Sequence, residues 1–265
     1  MTQTVWLNGR LIPSDEARID PSDRGFTLGD GVFETICAHD GMPLHLARHL
    51  VRLVEGARIL GIPVPHSETA LAMAIEDVLR ANGLDRAAVR MTLSRGPAPR
   101  GVLPADDIRP TLLITVGTLP DALPPARVIV AQGVRRNEFS PLSRIKSLNY
   151  LDSMLARREA AAAGADDALL LNTRGNLAEA SAANLLLYVS GRWVTPAVAD
   201  GALPGIARGL LLETGAAEEA RIDTYYLKHA EAGVLINSLG HRRIASIDGS
   251  VLNSAHTAFG VLVSD

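Results

Sequence analysis

The chain has 265 residues, of which 47% are hydrophobic and 21% are charged, and its formal net charge is -3. This composition predicts a compact folded protein and excludes a disordered one. The slightly negative charge provides no positive field for a phosphate backbone, so we expect a small-molecule ligand and no nucleic acid. The length allows one large domain or two modest ones.

Membrane, disulfide and metal chemistry are not expected from the sequence. No apolar run approaches the roughly 20 residues that a bilayer crossing needs, and the N-terminus lacks a signal pattern, so we expect a cytoplasmic protein without membrane association. Cys37 is the only cysteine, which excludes an intrachain disulfide. No Cys/His cluster has metal-ligand spacing, and we expect no metal.

The first 118 residues are predicted to form a small α+β domain. The turn pairs Asn8-Gly9 and Asp40-Gly41 favour positive φ and each separates two short strands. Apolar residues recur at helical spacing in two later segments, which end before Gly61 and Gly83. The predicted helices cover 46–60 and 71–79, with Ser67 as N-cap of the second, and further strands cover 88–93 and 111–116.

Three prolines between Leu119 and Pro125 resist both helix and strand formation. They predict a linker at 119–126, followed by a larger α/β domain at 127–265. In this second domain, buried strands are predicted at 128–131, 168–171, 185–188 and 234–236, and helices at 151–163 and 206–212.

Lys146 is the first candidate for chemistry. It lies in the segment Ser143-Arg144-Ile145-Lys146-Ser147, which leads from a polar loop into an apolar helix. A lysine becomes a nucleophile when burial or a neighbouring cation favours its neutral amine. An ordinary solvated lysine is the alternative that this segment alone leaves open.

Two further segments are candidates for binding a cofactor. Glu179 is the lone acid between Asn176 and Leu185, and a buried carboxylate there would need a partner such as a protonated ring nitrogen. At Gly205, a Pro-Gly loop enters an apolar helix whose first amides would favour a phosphate. A surface acid and an ordinary glycine loop are the alternatives.

The order of several motifs resembles that of the class IV aminotransferase family. These motifs are Lys146–Tyr150, Leu177–Leu185, Leu203–Arg208, Leu28–Thr35 and His49–Leu53, so the resemblance covers nearly the whole chain. It implies an α/β (α+β) two-domain enzyme of fold type IV, which is a homodimer. It also implies that pyridoxal 5'-phosphate (PLP) binds at the domain interface and that the substrate is a small amino compound.

The resemblance also implies roles for individual residues. Lys146 would bind PLP covalently and later move the proton, and Glu179 would pair with the pyridine nitrogen. The phosphate would be held by Arg52, by the backbone amides of Ile206 and Ala207 and by the Asn237-Ser238 turn, with Ser181, Ala182 and Gly205 as further cofactor-binding residues. Ala207 replaces a hydroxyl residue common in the family, so one phosphate hydrogen bond would be missing.

The family contains several reaction types, namely branched-chain aminotransferases, D-amino-acid aminotransferases, R-selective amine transaminases and 4-amino-4-deoxychorismate lyase. Asn237-Ser238-Leu239, Phe33-Glu34-Thr35 and Arg100-Gly101 resemble the lyases. Ser94–Arg100 instead resembles the substrate-carboxylate loop of D-amino-acid aminotransferases, although Val102 stands where those enzymes have a histidine. The aromatic residue that usually follows Arg-Gly in the lyases is absent as well.

Lyase chemistry is the leading hypothesis. It would release pyruvate from 4-amino-4-deoxychorismate and yield p-aminobenzoate for folate biosynthesis. The alternative is amino transfer from a D-amino acid or an R-amine to a keto acid. The candidate substrate-binding residues are Phe33, Arg100 and Arg242, with Arg243 as a further candidate cation. For the three arginines, an ordinary arginine without a ligand is the alternative that the sequence leaves open.

Overall fold

The structure is a computed structural model that describes residues 2–104, 107 and 109–252. Contacts divide the chain into two compact units. The first contains the described residues up to Pro120 together with Ile145–Asn149, and the second contains Asp121–Arg144 and the described residues from Tyr150 onwards. Lys146 therefore packs within the first unit, although it follows the predicted linker in the sequence.

The first unit combines one antiparallel sheet with three helices in its described residues. The strands are β1 (Thr4–Leu7), β2 (Arg10–Pro13), β3 (Gly31–His39), β4 (Met42–Pro43), β5 (Ala87–Ser94) and β6 (Thr111–Thr118). The helices are α1 (Arg24–Leu28), α2 (Leu46–Leu60) and α3 (Glu68–Asn82). The spatial order of the strands is β2-β1-β6-β5-β3-β4, and every neighbouring pair is antiparallel.

Local sequence chemistry accounts for the turns and helix ends of this unit. Asn8 and Gly9 have φ of 48° and 93°, which confirms the first predicted hairpin. The Ser67 hydroxyl accepts a hydrogen bond from the Ala70 N–H at 3.2 Å, which confirms the predicted N-cap of α3. Asp23 caps the short helix α1, which was not predicted from the sequence, and its side chain accepts the N–H of Gly25.

Strands β3, β5 and β6 have two different faces. Ile36, Met91 and Ile114 are fully buried in a core that includes residues of α2 and α3. Because side chains alternate along a strand, Phe33 and Arg90 lie on the opposite face. We call this opposite face the second face of the sheet.

The second unit is built on a mixed sheet. Its strands are β7 (Ala126–Val130), β8 (Asp167–Leu171), β9 (Leu177–Ala180), β10 (Asn184–Val189), β11 (Arg192–Pro196), β12 (Glu218–Ala220), β13 (Ala232–Asn237), β14 (Gly240–Ile247) and β15 (Ser250–Val251). Its helices are α4 (Leu151–Ala162), α5 (Ile206–Glu213) and α6 (Thr224–His229). The strand order is β12-β11-β10-β13-β14-β7-β8-β9, with β15 paired to β14.

Strands β7, β8, β10 and β13 and helices α4 and α5 lie where the sequence predicted them. The pairs β7–β8, β7–β14 and β11–β12 are parallel, and the other pairs are antiparallel. The mixed α/β character predicted for the chain is confirmed in both units.

No helix within residues 2–104, 107 and 109–252 is long and apolar enough to span a membrane. The same residues contain no group of three or more His, Cys, Asp or Glu side chains that could hold a metal ion.

Candidate active site

Lys146 is anchored to strand β3 through its backbone. Its carbonyl accepts the N–H of Phe33 at 2.9 Å, and Ser147 forms a β-bridge with Val32. The side chain lies on the second face of the sheet, where Nζ is 4.3 Å from the centroid of the Phe33 ring. The sequence has only two lysines, and the other, Lys228, is an exposed residue of α6.

A second cation contacts the same aromatic ring. The Arg90 guanidinium carbon lies 3.9 Å from the centroid of the Phe33 ring. The Lys146 amine lies 4.3 Å from the same centroid, so these two distances together limit how far apart the amine and the guanidinium carbon can be. Sequence reasoning missed Arg90. The available signal was a single charge at an alternate position of Ala88-Val89-Arg90-Met91-Thr92, which places Arg90 on the face opposite to Val89 and Met91.

Arg52, a predicted phosphate ligand, forms a double hydrogen bond with Glu34. Its Nε and Nη2 donate to the two carboxylate oxygens at 2.8 and 2.7 Å, and His49 Nδ1 lies 2.7 Å from Glu34 Oε2. Glu34 and His49 are buried. Burial raises the pKa of Glu34, but hydrogen bonds from Arg52 and His49 outweigh it and hold this pKa below its ordinary value.

This cluster predicts a loss of stability in mild acid. Burial lowers the pKa of His49 more than Glu34 raises it, so as pH falls below about 6.5 the unfolded chain takes up the proton first. The pKa of Glu34 is lowered in the folded protein, so the ionised carboxylate contributes fully to stability above about pH 4.3. This stabilisation is lost as the pH falls through the pKa that Glu34 has in the folded protein. We expect the free energy of unfolding to decrease between pH 7.5 and 5.

Urea unfolding of the wild type and of His49→Gln at both pH values measures this effect. Glutamine can still donate a hydrogen bond to Glu34 but does not titrate, so the variant should lose less stability on acidification than the wild type. Equal losses would show that His49 does not cause the acid sensitivity.

Arg100, a predicted substrate residue, is an exposed residue of a loop that Arg24 anchors. Arg24 Nη1 and Nη2 donate to the carbonyls of Gly101 and Val102 at 2.7 and 2.8 Å, and its Nε is 2.8 Å from Asp30 Oδ2. Burial raises the pKa of Asp30, but hydrogen bonds from Arg95 and Arg24 outweigh it and lower this pKa overall. The anchoring fixes the backbone beside Arg100.

In the second unit, Glu179 is buried and forms an ion pair with Arg136. The residue is 8% exposed, and Arg136 Nε is 2.9 Å from Oε1. Oε2 accepts the N–H of Leu203 at 2.9 Å. Both contacts stabilise the charged carboxylate, the form that can pair with a protonated ring nitrogen. Sequence reasoning missed Arg136, because it lies far from Glu179 in the chain and no local pattern links the two residues.

The predicted phosphate segment forms the start of α5. Gly205 is the N-cap and makes no side-chain cap hydrogen bond, and Ile206 and Ala207 follow in the first turn. A Cβ atom at Gly205 would lie 1.9 Å from Asn184 Oδ1, so only glycine leaves room for this asparagine.

The other predicted cofactor residues of this unit lie on two turns. Asn237 Nδ2 donates to the Ala182 carbonyl at 3.3 Å, and Ser238 follows Asn237 in the β13–β14 turn. Ser181 Oγ instead donates to Asp167 and accepts from Arg157 Nε at 3.1 Å. The turns are thus brought together, while the Ser181 hydroxyl is occupied within the protein.

Arg242, the other predicted substrate arginine, contacts groups of its own unit. Its Nε donates to the Pro124 carbonyl at 2.7 Å, and its Nη2 lies 3.2 Å from Asp166. These contacts attach β14 to the segment before β7, which is a structural role. Arg243 is exposed and lies opposite Val234 in the β13–β14 pair.

Comparison with known proteins identifies the family. The profile described as amino-transferase class IV matches residues 31–247. The chain belongs to this family. A Methanocaldococcus jannaschii protein named "Putative branched-chain-amino-acid aminotransferase" is 33% identical over 79% of this chain and 73% of its own length. The Bacillus subtilis protein "Aminodeoxychorismate lyase" is 30% identical over 79% and 72%.

Solved structures place the fold among the fold type IV PLP enzymes. A Legionella pneumophila protein titled "Putative 4-amino-4-deoxychorismate lyase" has a TM-score of 0.86 and 32% identity over 94% of each chain. A T.th. branched-chain amino acid aminotransferase, solved with pyridoxamine 5'-phosphate, has a TM-score of 0.87 and 26% identity over 96% of this chain and 88% of that one. The predicted fold class and the PLP cofactor are confirmed.

The residues of this chain fit PLP chemically. Lys146 supplies a primary amine beside an aromatic ring, and Glu179 supplies a carboxylate held in its charged form. The N-cap of α5 is Gly205, so the cap residue itself places no side chain at the first amides of the helix. These are the three groups that an aldehyde, a pyridine nitrogen and a phosphate require.

Proposed function

We propose that Lys146 binds PLP covalently, that Glu179 binds its pyridine nitrogen, and that the start of α5 binds its phosphate. Arg52 and the Asn237-Ser238 turn are proposed as further phosphate ligands, with Ser181 and Ala182 bordering the cofactor. Support comes from the motif order in the sequence and from the local partners of Lys146, Glu179 and Gly205.

When bound, PLP supplies an electron sink for negative charge at the carbon that bears the reacting amine. Lys146 is the acid and base that moves the proton at this carbon, because its amine is the proposed point of attachment. Glu179 holds a proton on the ring nitrogen, and Arg136 and the Leu203 N–H keep its carboxylate charged and oriented.

The position of Arg90 is the observation that indicates the substrate class. Its guanidinium carbon and the Lys146 amine lie 3.9 and 4.3 Å from the centroid of one Phe33 ring, so Arg90 can reach a substrate group that lies several ångströms from the amine reacting at Lys146. A guanidinium recognises a carboxylate well, because it can donate two parallel hydrogen bonds. The proposed substrate is therefore a primary amine that carries a carboxylate.

Within this class we propose 4-amino-4-deoxychorismate as the substrate and its conversion to pyruvate and p-aminobenzoate as the reaction. The Bacillus subtilis relative bears the name of this lyase, and the Legionella pneumophila structure bearing a similar title matches the chain over 94% of both lengths. The Asn237-Ser238-Leu239 turn lends further support.

Transamination is the second candidate. The Methanocaldococcus jannaschii relative and the T.th. structure are both named as branched-chain aminotransferases. Incubation with aminodeoxychorismate should release pyruvate and p-aminobenzoate in equal amounts. Parallel incubations contain leucine or D-alanine with 2-oxoglutarate. If glutamate formed in the incubations with leucine or D-alanine and no p-aminobenzoate formed from aminodeoxychorismate, the lyase proposal would be contradicted and amino transfer supported.

Arg90→Gln is expected to raise KM about 30-fold, because a charge-assisted hydrogen bond to the substrate is lost. A smaller change is expected in kcat, since Arg90 is proposed to bind the substrate and not to move the proton. Steady-state kinetics of this variant test the role, with Arg109→Gln as an exposed-arginine control. An unchanged KM would exclude Arg90 as the carboxylate ligand.

A cytoplasmic homodimer remains a prediction from the sequence. Sedimentation equilibrium of the purified protein at several concentrations measures its oligomeric state.

A further inference from the structure

Asn184, the first residue of β10, contacts the loop before α5 in two ways. Its Nδ2 donates to the Leu203 carbonyl at 2.9 Å, and its Oδ1 occupies the space that a side chain at Gly205 would need. Asn184 is buried, and its Nδ2 group is hydrogen-bonded to this loop. No role for Asn184 follows from the cofactor placement described above.

Leu203 connects Asn184 to Glu179. Its N–H donates to Glu179 Oε2 at 2.9 Å, while its carbonyl accepts both Asn184 Nδ2 and the N–H of Gly205, the latter at 2.8 Å. The bond from Gly205 closes a three-residue turn around Pro204. Leu203 therefore contacts Glu179 through its N–H and holds the start of α5 through its carbonyl.

We propose that Asn184 is a positioning residue that sets the orientation of the Glu179 carboxylate and the start of α5 together. This inference rests on the proposed cofactor placement, in which Glu179 binds the pyridine nitrogen and the α5 amides bind the phosphate. Without the Asn184 amide, the Leu203 carbonyl keeps only the bond from Gly205. The loop then moves, and the contacts to both ends of PLP weaken.

The same geometry explains the glycine at position 205. Its φ of -69° and ψ of 144° are accessible to any residue, so backbone conformation does not require glycine. The requirement comes from Asn184 Oδ1, which would lie 1.9 Å from a Cβ atom. Gly205→Ala should therefore act by displacing Asn184, and its effect should disappear once Asn184 is absent.

Binding of PLP and of pyridoxal, which lacks the phosphate, to cofactor-free protein tests this coupling. Asn184→Ala is expected to weaken PLP binding about tenfold, and pyridoxal binding by a smaller factor that is still clearly measurable. Gly205→Ala should show the same pattern. The double variant should bind PLP no more weakly than either single variant.

Asn82→Ala is the matched control, because the Asn82 amide also donates to main-chain carbonyls, those of Thr4 and Val78, at 2.8 and 2.7 Å. It should lower the melting temperature and leave both dissociation constants unchanged. Unchanged pyridoxal binding in Asn184→Ala, equal factors for the two ligands, or additive effects in the double variant would each overturn the proposal. Wild-type protein that fails to bind PLP would instead contradict the proposed cofactor site.

Discussion

Lys146→Ala is expected to lower kcat/KM at least about 1,000-fold, because the variant loses both the covalent attachment and the group that moves the proton. The fold should persist, since the contact that anchors this residue is made by its backbone carbonyl with the Phe33 N–H. Steady-state kinetics with the product assay described above, together with a melting curve, measure both properties.

Lys146→Arg tests whether the reaction needs the free amine or only the positive charge of this residue, and Lys228→Ala is the control. Lys146→Arg keeps a cation beside Phe33 but cannot lose its proton, so it should be as inactive as the alanine variant. Lys228→Ala removes the other lysine, an exposed residue of α6, and should retain full activity. Substantial turnover by Lys146→Arg would show that the positive charge, and not the free amine, is what the reaction needs.

Glu179→Gln is expected to lower kcat at least about 100-fold, because an amide cannot hold a proton on the pyridine nitrogen. The loss should appear mainly in kcat. Stability should also fall by about 2 kcal/mol, since Arg136, which is partly exposed, would lose the opposite charge that lies 2.9 Å from its Nε. Kinetics and urea unfolding of the cofactor-free protein measure the two effects separately.

Glu159→Gln is the control for this substitution. The Glu159 carboxylate accepts the backbone N–H groups of Gln132 and Gly133 at 2.7 and 3.0 Å, so it too is hydrogen-bonded, but it is not assigned to the cofactor. Its kcat should equal that of the wild type. A Glu179→Gln enzyme with near-normal kcat would remove this carboxylate from the proposed site.

The parts of the fold that depend on local chemistry could be predicted from the sequence. Asn8-Gly9 specifies a hairpin turn, and Ser67 and Gly83 mark the ends of α3, because these residues act on their own backbone neighbours. Strand β9 could not be predicted this way. Its residues Leu177-Ala178-Glu179-Ala180 show no alternation and are all buried, so pairing with β8 decides their structure.

The residues of the proposed site likewise fall into those that a local motif indicates and those that only tertiary contacts reveal. Lys146, Glu179 and Gly205 stand in recognisable motifs, so their order in the sequence indicates them. Arg90 and Asn184 acquire their roles from tertiary contacts, with Phe33 in one case and with Leu203 in the other. Arg242 is the opposite case. The sequence suggested it as a substrate-binding cation, but in the structure its side chain bonds the Pro124 carbonyl and Asp166.

Peptide mapping after borohydride reduction of the PLP-loaded wild-type protein tests the covalent attachment most directly, since the chain has only two lysines. We expect the phosphopyridoxyl group on the peptide that contains Lys146 and none on the peptide that contains Lys228. Modification of Lys228, or a PLP-loaded protein from which reduction fixes no cofactor, would contradict the assignment of Lys146.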